Sequence, residues 1–589
     1  MIEDFLNNVH RPAQYLGNEW NAVKKDFPAA EVTFALGFAD LYEVGMSNLG
    51  LRIIYGVLNN LPGVLCERFF APASDLETLL RNSASRLSSL ESNRLLLDFD
   101  LLGFSLGSEL NYTNVLNILD LAGLPLLAAE RNQDYPLVIG GGPCVLNPEP
   151  LADFFDLFLI GEGEEAVVEL LSLYRQLKAD YQASRLTKEE LLIKLSAVSG
   201  VYAPSLYLPE YNSAGELTNF SPRFKELPHK ISKRFVRNFD QAYFPVDWIV
   251  PFVPTVHDRI TVEIMRGCPN RCRFCQARSQ YYPLRIRSLE KISALASQAY
   301  ESTGYEEISL AGLSVGDYPG IEQLVASLVK SLGCQGVSLS LPSLKAKALL
   351  GGVSRLIAKT KKTGLTFAPE AGTLGLRQAL AKDFSEEEFF AAINEAYAAG
   401  YQHLKLYFLI GLPGEKESDL AGIIDFAKRA SEAKRQVSGG PAAVNISINP
   451  LIPKPHTPLQ WQGMDPIDLI RQKQVFLKAY CKNRRLKLNF HNPEMAYLEG
   501  VLSRGDRRLG QVILLAFTKG ARFDAWSNYF SYPKWQAAFS EAGILPDRYL
   551  NAQAEQRVLP WDFIDIGISK EELLSDFNKL YCQIKSYAV

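Results

Sequence analysis

Three of the eight cysteines lie close together, in a spacing that suits metal or cluster binding. Cys268, Cys272 and Cys275 form a C-x-x-x-C-x-x-C pattern within the segment EIMRGCPNRCRFC. This spacing is too tight for a disulfide framework and is typical of metal ligation. Cysteine thiolates hold iron–sulfur clusters, and a four-iron cluster with three protein ligands keeps one iron open for a small molecule.

The residues around the three cysteines are compatible with this chemistry. Gly267 and Pro269 suit a loop that folds tightly, while Arg266 and Arg271 are expected to lower the thiol pKa from about 8.5. A zinc site is the alternative interpretation. Zinc usually takes a fourth Cys or His nearby, and the nearest histidine, His257, precedes the strand that leads into the loop.

Alternating strand and helix patterns place the cysteine loop at the end of a parallel strand. Predicted strands ITVEIM, EEISLAG, GVSLSLPS, GLTFAP, HLKLYFLIG and AVNISINP are separated by helical segments. They predict a partial (β/α)6 barrel over residues 255–486, in which active sites are built at the carboxyl ends of the strands.

The rest of the chain divides into three predicted parts. Residues 1–180 alternate strands and helices and predict a doubly wound parallel sheet of Rossmann type. Residues 181–254 are expected to form a connector, and residues 487–589 a mostly helical C-terminal domain. The fold class is therefore α/β.

Composition favours a soluble globular protein. The chain of 589 residues is 47% hydrophobic and 22% charged, with a formal net charge of -3. This charge gives no global attraction to membranes and neither indicates nor excludes nucleic acid. The N-terminus does not read as a secretory signal and no apolar run reaches membrane-spanning length, so we expect a cytoplasmic protein with no membrane partner.

The cysteine loop resembles the signature of the radical S-adenosylmethionine superfamily, with Phe274 as the aromatic residue before the third cysteine. The resemblance implies a 4Fe-4S cluster on Cys268, Cys272 and Cys275. It also implies that S-adenosylmethionine binds the open iron and is reductively cleaved to a 5'-deoxyadenosyl radical. Implied partners are an unknown substrate and an electron donor such as flavodoxin or ferredoxin.

Later segments resemble the elements with which this superfamily binds S-adenosylmethionine. AGLSVGD resembles the turn that contacts the methionyl amine, although it departs from the usual Gly-Gly-Glu; SLSLPSL and FAPEAGT resemble the ribose and carboxylate contacts, and KLYFLIGLPGE the adenine-lining strand. Each segment could instead serve packing. The resemblance nominates Phe274, Gly312, Ser314, Gly316, Asp317, Ser340, Ser343, Glu370, Thr373, Ile410 and Gly411.

The N-terminal sheet resembles the cobalamin-binding domain that precedes many radical cores. Asp40, Tyr42 and Gly45 occupy the places of an Asp-x-His-x-x-Gly pattern, so that tyrosine replaces the cobalt-ligating histidine. Two alternatives follow: cobalamin binds without a histidine ligand, or the domain keeps the fold without the cofactor. The candidate cobalamin residues are Asp40, Tyr42, Gly45, Ser105, Gly141 and Gly142.

Two later segments carry further polar candidates. His456, with Lys454, follows the last predicted barrel strand and is a candidate for acid–base chemistry or a solvated loop residue. The tail motifs RGDRRLG and GARFDAW are suited to gripping an anion or to surface ion pairs. They contribute Arg504, Asp506, Arg507, Arg508 and Asp524.

The resemblance covers nearly the whole chain and is closest to an uncharacterised family that combines all three parts. The leading interpretation is cleavage of S-adenosylmethionine with cobalamin-dependent methyl transfer to an unknown substrate. One alternative is modification of RNA or a ribosomal protein without cobalamin, although the chain has no second cysteine group for sulfur insertion. The other alternative is a redox or cobalamin sensor without turnover.

Overall fold

The structure is a computed structural model that describes residues 2–341, 365–382 and 384–588. The chain forms two units, and the predicted boundary near residue 254 lies close to the boundary between them. The predicted C-terminal segment is divided between both units, so it is not one separate domain. The first unit contains Met1–Asp258, Val501–Tyr549 and Gln556–Gly567, and the second contains Arg259–Gly500, Leu550–Glu555 and Ile568–Val589.

The first unit is built on a sheet in the order β2-β1-β3-β4-β5-β6, parallel except for the antiparallel pair β5 and β6. Its strands are β1 (Val32–Phe38), β2 (Val64–Phe70), β3 (Leu101–Ser105), β4 (Leu137–Gly141), β5 (Leu157–Leu159) and β6 (Val201–Tyr202). β1 and β2 are buried along their whole length because apolar residues face both sides of the sheet. The predicted doubly wound sheet is confirmed.

Helices connect the strands of the first sheet. They are α1 (Tyr42–Gly45), α2 (Leu49–Asn59), α3 (Ser74–Asn82), α4 (Tyr112–Ala122), α5 (Gly163–Gln182) and α6 (Lys188–Leu195). Because β2 and β3 lie on opposite sides of β1, the direction in which successive strands are added to the parallel sheet reverses, and the switch point lies between β1 and β3. In doubly wound sheets, ligands bind at the carboxyl ends of the strands at this switch point.

The predicted connector contains β structure that the sequence did not indicate. β6 joins the edge of the first sheet, and two further strands form an antiparallel hairpin. The hairpin strands are β7 (Tyr207–Tyr211) and β8 (Leu217–Pro222), and the short strand β9 (Ile231–Ser232) follows them. The connector is therefore part of the first unit.

The second unit carries two parallel sheets, ordered β10-β13-β14 and β15-β16-β17-β18, and a short antiparallel ribbon of β11 and β12. The strands are β10 (Ile260–Glu263), β11 (Met265–Arg266), β12 (Arg285–Ile286), β13 (Glu307–Ala311), β14 (Ser338–Ser340), β15 (Leu365–Glu370), β16 (His403–Ile410), β17 (Ala443–Pro450) and β18 (Leu486–Phe490). All six predicted strands are present, as the partial (β/α) barrel requires.

β18 was not predicted, because LKLNF lies at the boundary placed at residue 486. Helices of the second unit, numbered along the described chain, alternate with its strands. They are α7 (Gln276–Gln280), α8 (Leu289–Thr303), α9 (Ile321–Leu332), α10 (Leu374–Ala379), α11 (Glu386–Ala398), α12 (Glu417–Ser438), α13 (Ile467–Tyr480) and α14 (Pro493–Arg504).

The end of the chain contributes to both units. Helices α15 (Leu509–Thr518), α16 (Tyr532–Ala542) and α17 (Asp547–Leu550) begin in the first unit. The short strand β19 (Ile564–Asp565) pairs in parallel with β9 of that unit. The last helix, α18 (Lys570–Ala588), belongs to the second unit. None of the described helices has the length and apolarity needed to span a membrane.

Candidate functional site

The cysteine loop lies between β11 and α7, directly after the first strand of the barrel sheet. Gly267 opens the loop with φ +91°, a conformation that L side chains rarely adopt. A Cβ atom on Gly267 would lie 2.8 Å from the Cα of Leu284 and the carbonyl oxygen of Pro283. The loop can therefore press against the segment that leads into β12 only with glycine at this position.

The three thiols are partly exposed, and none of them is in a disulfide. Burial is the main reason that the pKa of Cys272 is raised to about 11; Lys382 opposes the rise, whereas Cys275, Glu370 and Cys268 add to it. Burial also raises the pKa of Cys275, to which Cys268 again contributes. The three cysteines share one loop of eight residues, in which the Cys275 amide donates to the Cys272 carbonyl at 3.2 Å.

The prediction that Arg266 and Arg271 lower the thiol pKa is wrong. The guanidinium of Arg266 forms an ion pair with Glu263, with a nitrogen–oxygen distance of 2.7 Å. Arg271 is exposed to solvent. Lys382, which the sequence analysis did not single out, is the cation that acts on Cys272.

The donor set fits an iron–sulfur cluster by its chemistry. Three cysteines within eight residues of one loop, all half-buried and outside any disulfide, are the ligands that such clusters take. Among the described residues, no three His, Cys, Asp or Glu side chains converge on a position for a single metal ion. The case for a cluster therefore rests on the kind and placement of the donors.

A polar network joins the cysteine loop to the turn after β13. The Nδ2 atom of Asn270 lies 3.3 Å from the Sγ of Cys268 and 3.0 Å from Oδ2 of Asp317. The hydroxyl of Ser314 donates to the same carboxylate oxygen at 2.6 Å. Ser314 is buried, and Gly316 lies in the same turn. Two residues nominated for S-adenosylmethionine are thus held beside a cysteine thiol.

Gly312, Ser340 and Ser343 are the candidate residues that follow or end the next two strands of the sheet. A Cβ on Gly312 would lie 2.6 Å from Cγ of Met265, so glycine lets the turn approach β11. Ser340 is the last residue of β14 and is partly buried. Ser343 lies outside the described residues.

Glu370 ends β15 in a strained conformation close to the thiols. Its φ of +70° is uncommon for a residue with a side chain, and such strain collects at functional sites. Its carboxylate is 3.3 Å from Nζ of Lys382, and burial raises its pKa. Lys382 and Glu370 both act on the pKa of Cys272. This half-buried pair therefore lies within electrostatic reach of the cysteine loop.

Thr373 is held by residues of its own unit. Its hydroxyl donates to the carboxylate of Asp419 and accepts a hydrogen bond of 3.1 Å from Tyr587 of α18. Tyr587 also donates to Asp419 at 2.7 Å. Thr373 precedes α10 as its N-cap residue. Its hydroxyl is thus committed to the junction of α10, α12 and α18.

The predicted adenine-lining strand, β16, ends among buried apolar residues. Ile410 is fully buried at the end of β16, and Gly411 follows with φ +81°. The Gly411 amide donates to Oε2 of Glu415 at 2.9 Å. Phe274, the aromatic residue of the cysteine motif, packs on an apolar cluster that includes Leu412. Cys275 and this cluster are therefore connected through Phe274.

Arg273 anchors the cysteine loop, although the sequence analysis assigned it no role. Its side chain is buried and donates to the Ala379 carbonyl and to Oε1 of Gln583 in α18. Its backbone amide donates to the Leu380 carbonyl at 3.0 Å. Arg278, which follows the third cysteine, forms a 3.3 Å ion pair with Asp576 of α18. No local pattern could reveal these partners, because they are distant in sequence.

In the first unit, the candidate cobalamin residues lie at the carboxyl ends of β1, β3 and β4. Tyr42 is buried, and its hydroxyl donates to Oε1 of Glu19 at 2.8 Å. Arg68 joins the other oxygen of Glu19 at 2.7 Å and Glu91 at 2.6 Å. Burial raises the pKa of the Tyr42 hydroxyl well above its usual range. This hydroxyl is therefore committed to a buried network and is not presented as a ligand.

Asp40 is also engaged within the first unit. Its carboxylate accepts hydrogen bonds of 2.9 Å from the indole of Trp526, 2.8 Å from the Leu41 amide and 3.3 Å from Asn111. Burial raises the pKa of this carboxyl group. Asp40 thus connects the first strand-to-helix crossover to the C-terminal segment.

The glycines of the same sheet edge have different surroundings. A Cβ on Gly45 would lie 2.2 Å from the ring of Phe70, so this glycine serves packing. Ser105 and Gly141 are paired at the ends of β3 and β4. Gly141 has open space where a Cβ would be, whereas Gly142, with φ +102°, lies against Leu106. Of these three glycines, Gly141 at the end of β4 is the one with open space where a side chain would be.

The remaining polar candidates are mostly buried, contrary to the surface interpretation. His456 is buried with φ +57°, and its carbonyl accepts a hydrogen bond from Ser279. Arg507 forms a 3.1 Å ion pair with the buried Glu149. The others bond inside their units: Lys454 with Glu499, Arg508 with Asp506, Arg504 with the Tyr549 carbonyl and Asp524 with Thr113.

Two family descriptions match the chain, one in each unit. A family described as radical SAM proteins, N-terminal, matches residues 50–204, and one described as the radical SAM superfamily matches residues 262–427. The first range includes β2 to β6. The second includes the cysteine loop and the strands from β13 to β16.

Individual relatives cover the chain to different extents. An uncharacterized protein of Methanocaldococcus jannaschii is 28% identical over 458 residues, which are 77% of this chain and 89% of the relative. A threonylcarbamoyladenosine tRNA methylthiotransferase of Chlamydia pneumoniae is 22% identical over 173 residues, or 27% of this chain and 39% of that enzyme.

A solved structure shares the fold across most of the chain. It is the cobalamin-dependent S-adenosylmethionine radical enzyme OxsB with aqua-cobalamin and S-adenosylmethionine bound, at a TM-score of 0.50 and 14% identity. The match covers 95% of this chain and 80% of OxsB. At this identity the likeness concerns architecture.

Proposed function

The chain belongs to the radical SAM superfamily of enzymes, and on this premise we propose that it cleaves S-adenosylmethionine with a 4Fe-4S cluster held by Cys268, Cys272 and Cys275. The observation that carries the proposal is the loop itself. Three half-buried thiols within eight residues of one loop follow the first strand of a parallel barrel sheet. That is the edge where such barrels do their chemistry.

A cluster held by these cysteines would supply one electron for the reductive cleavage of a carbon–sulfur bond of S-adenosylmethionine, which gives methionine and a 5'-deoxyadenosyl radical. The residues of the chain position the reactants. Arg273 and Phe274 fix the cysteine loop on α18 and on the apolar cluster of the unit. The electron has to come from a separate reductant, for which we propose a flavodoxin or a ferredoxin.

The residues around the loop suit the polar groups of S-adenosylmethionine. We assign Ser314 and Asp317 to the methionyl ammonium, because an anionic carboxylate lies beside Cys268 through Asn270. The half-buried Glu370–Lys382 pair places one carboxylate and one ammonium group near Cys272. A zwitterionic ligand needs a few such convergent polar groups.

The apolar part of the ligand has its own surface. We assign Ile410 and Gly411 to the adenine ring, because the end of β16 is buried and apolar and Gly411 has no side chain to obstruct it. Ser340 and Gly312 lie at the ends of neighbouring strands and complete the assignment. We assign Thr373 to anchoring α10, since its hydroxyl is already bonded to Asp419.

We propose that the first unit binds cobalamin without a histidine ligand and that the reaction is a methyl transfer. Support comes from the shared architecture with a cobalamin-dependent enzyme and from the open space at Gly141. Tyr42 replaces the histidine of the pattern and does not supply a ligand to cobalt, because its hydroxyl is buried and donates to Glu19. Phenol oxygen is in any case a poor neutral-pH match for cobalt.

Product analysis tests the proposal. Anaerobically reconstituted protein, supplied with reductant, cobalamin and S-adenosylmethionine, is expected to release 5'-deoxyadenosine, S-adenosylhomocysteine or both. A Cys268→Ala, Cys272→Ala, Cys275→Ala variant is expected to release neither. Cys481→Ala, a change at a partly exposed cysteine outside the loop, is the matched control and should behave as the wild type. Absence of both products from the wild type would refute the proposal.

A further inference from the structure

One side-chain amide contacts both the cysteine loop and the neighbouring polar turn. Asn270 lies between the first two cysteines, and its Nδ2 is 3.3 Å from Sγ of Cys268, 3.0 Å from Oδ2 of Asp317 and 3.5 Å from Oγ of Ser314. A carboxamide nitrogen has two hydrogens to donate. The two shorter contacts, to a thiol sulfur and to a carboxylate, account for both of them.

The position of this amide is fixed from the far side of the network. Asp317 accepts from Asn270 and from the buried Ser314 on the same oxygen, so the turn after β13 holds the amide in place. A donor fixed in this way meets the sulfur with little loss of side-chain entropy. It is therefore pre-organised toward Cys268.

Hydrogen bonds to ligand sulfurs are among the factors that set the reduction potential of an iron–sulfur cluster. A reduced cluster carries one more negative charge than an oxidised one. A donor to one of its sulfurs therefore stabilises the reduced form more, since hydrogen bonds to charged acceptors are the stronger ones. Such a bond raises the midpoint potential.

We propose that Asn270 is a positioning residue that donates to the Cys268 sulfur, raises the reduction potential of the cluster and ties this ligand to the Ser314–Asp317 turn. The inference rests on the proposed function, because it requires a cluster on the three cysteines. It adds a residue other than the three cysteine ligands that controls how readily the electron is supplied.

An electrochemical titration followed by electron paramagnetic resonance tests this role, independently of turnover. In Asn270→Leu, which has a similar volume and no donor, the ratio of reduced to oxidised cluster at a fixed potential should fall about tenfold. This corresponds to a midpoint potential about 59 mV lower for a one-electron couple. In Asn270→Asp, which adds a negative charge, the ratio should fall further.

Gln276→Leu is the matched control. Gln276 is the first residue of α7, directly after the third cysteine, and its side-chain amide donates to the Pro455 carbonyl at 3.3 Å. This variant should keep the wild-type potential. The inference is overturned if Asn270→Leu keeps the wild-type potential, or if Gln276→Leu shows the same decrease.

Cluster content decides the case in which Asn270→Leu takes up no iron. Asn270→Gln retains a carboxamide, so restored uptake would support the donor role. Uptake as poor as that of Asn270→Leu would overturn it. A wild-type protein without a cluster would refute the proposed function and this inference together, whereas a cluster with an unchanged potential in Asn270→Leu refutes the inference alone.

Discussion

The carboxyl strand ends of the two units hold reactive side chains in opposite states. In the first unit, Tyr42 and Asp40 are buried and bonded to Glu19 and Trp526, so their polar atoms are already used by the fold. In the second unit, three thiols remain half-exposed and outside any disulfide. A position in a family pattern therefore identifies a place in the fold, while the bonding of the side chain decides whether it is available.

The first way to test this contrast is to break the buried network of the first unit. In Arg68→Met, the carboxylates of Glu19 and Glu91 lose the cation between them. Removing one partner of a buried ion pair costs about 3–5 kcal/mol, so the free energy of unfolding should fall by this amount. Urea denaturation measures it.

A matched surface pair gives the control for this prediction. Arg185 and Asp180 form an ion pair in which both side chains are more than half exposed, at 65% and 54%. Arg185→Met should lower the free energy of unfolding by less than about 1 kcal/mol. Equal losses in the two variants would show that the Tyr42 network is no more than an ordinary surface feature.

The second test loosens the cysteine loop without touching a thiol. Arg273→Met removes the bonds to the Ala379 carbonyl and to Gln583. We expect the free energy of unfolding to fall by about 2 kcal/mol, because the Ala379 carbonyl oxygen and the Gln583 amide oxygen lose their donor. Iron should also be released to a chelator several-fold faster. Arg271→Met, an exposed change in the same loop, is the control and should release iron at the wild-type rate.

The third and smallest expected effect concerns Tyr42 itself. Tyr42→Phe removes one hydrogen bond to Glu19 and should cost about 1 kcal/mol. The absorption spectrum of bound cobalamin should stay the same, because the hydroxyl does not face a ligand. Tyr480→Phe, at an exposed tyrosine, should change neither stability nor spectrum. A spectral change in Tyr42→Phe alone would mean that the hydroxyl contacts the corrinoid.

Local sequence signals were sufficient for the cysteine loop and for both alternating sheets. Cysteine spacing depends on residues that are neighbours in the chain, and parallel strands show as apolar runs between helices. β18 was missed because its short half-buried sequence LKLNF gives a weak signal next to helical segments.

The residues around the loop could not be predicted in the same way. Arg273 depends on Gln583 and Asn270 on Asp317, and in both cases only the fold brings the partners together. The same holds for Tyr42, whose substitution for histidine was visible in the sequence but whose bond to Glu19 was not. Charge and hydrogen-bond networks between distant residues have no sequence period to reveal them.

Iron and acid-labile sulfide per chain, measured on anaerobically reconstituted protein, test the central claim most directly. The account predicts about four of each in the wild type and in Cys481→Ala, as a 4Fe-4S cluster requires. It predicts near zero for the variant in which Cys268, Cys272 and Cys275 are all alanine. Equal iron and sulfide in the wild type and in that variant, or zinc in place of iron in the wild type, would contradict it.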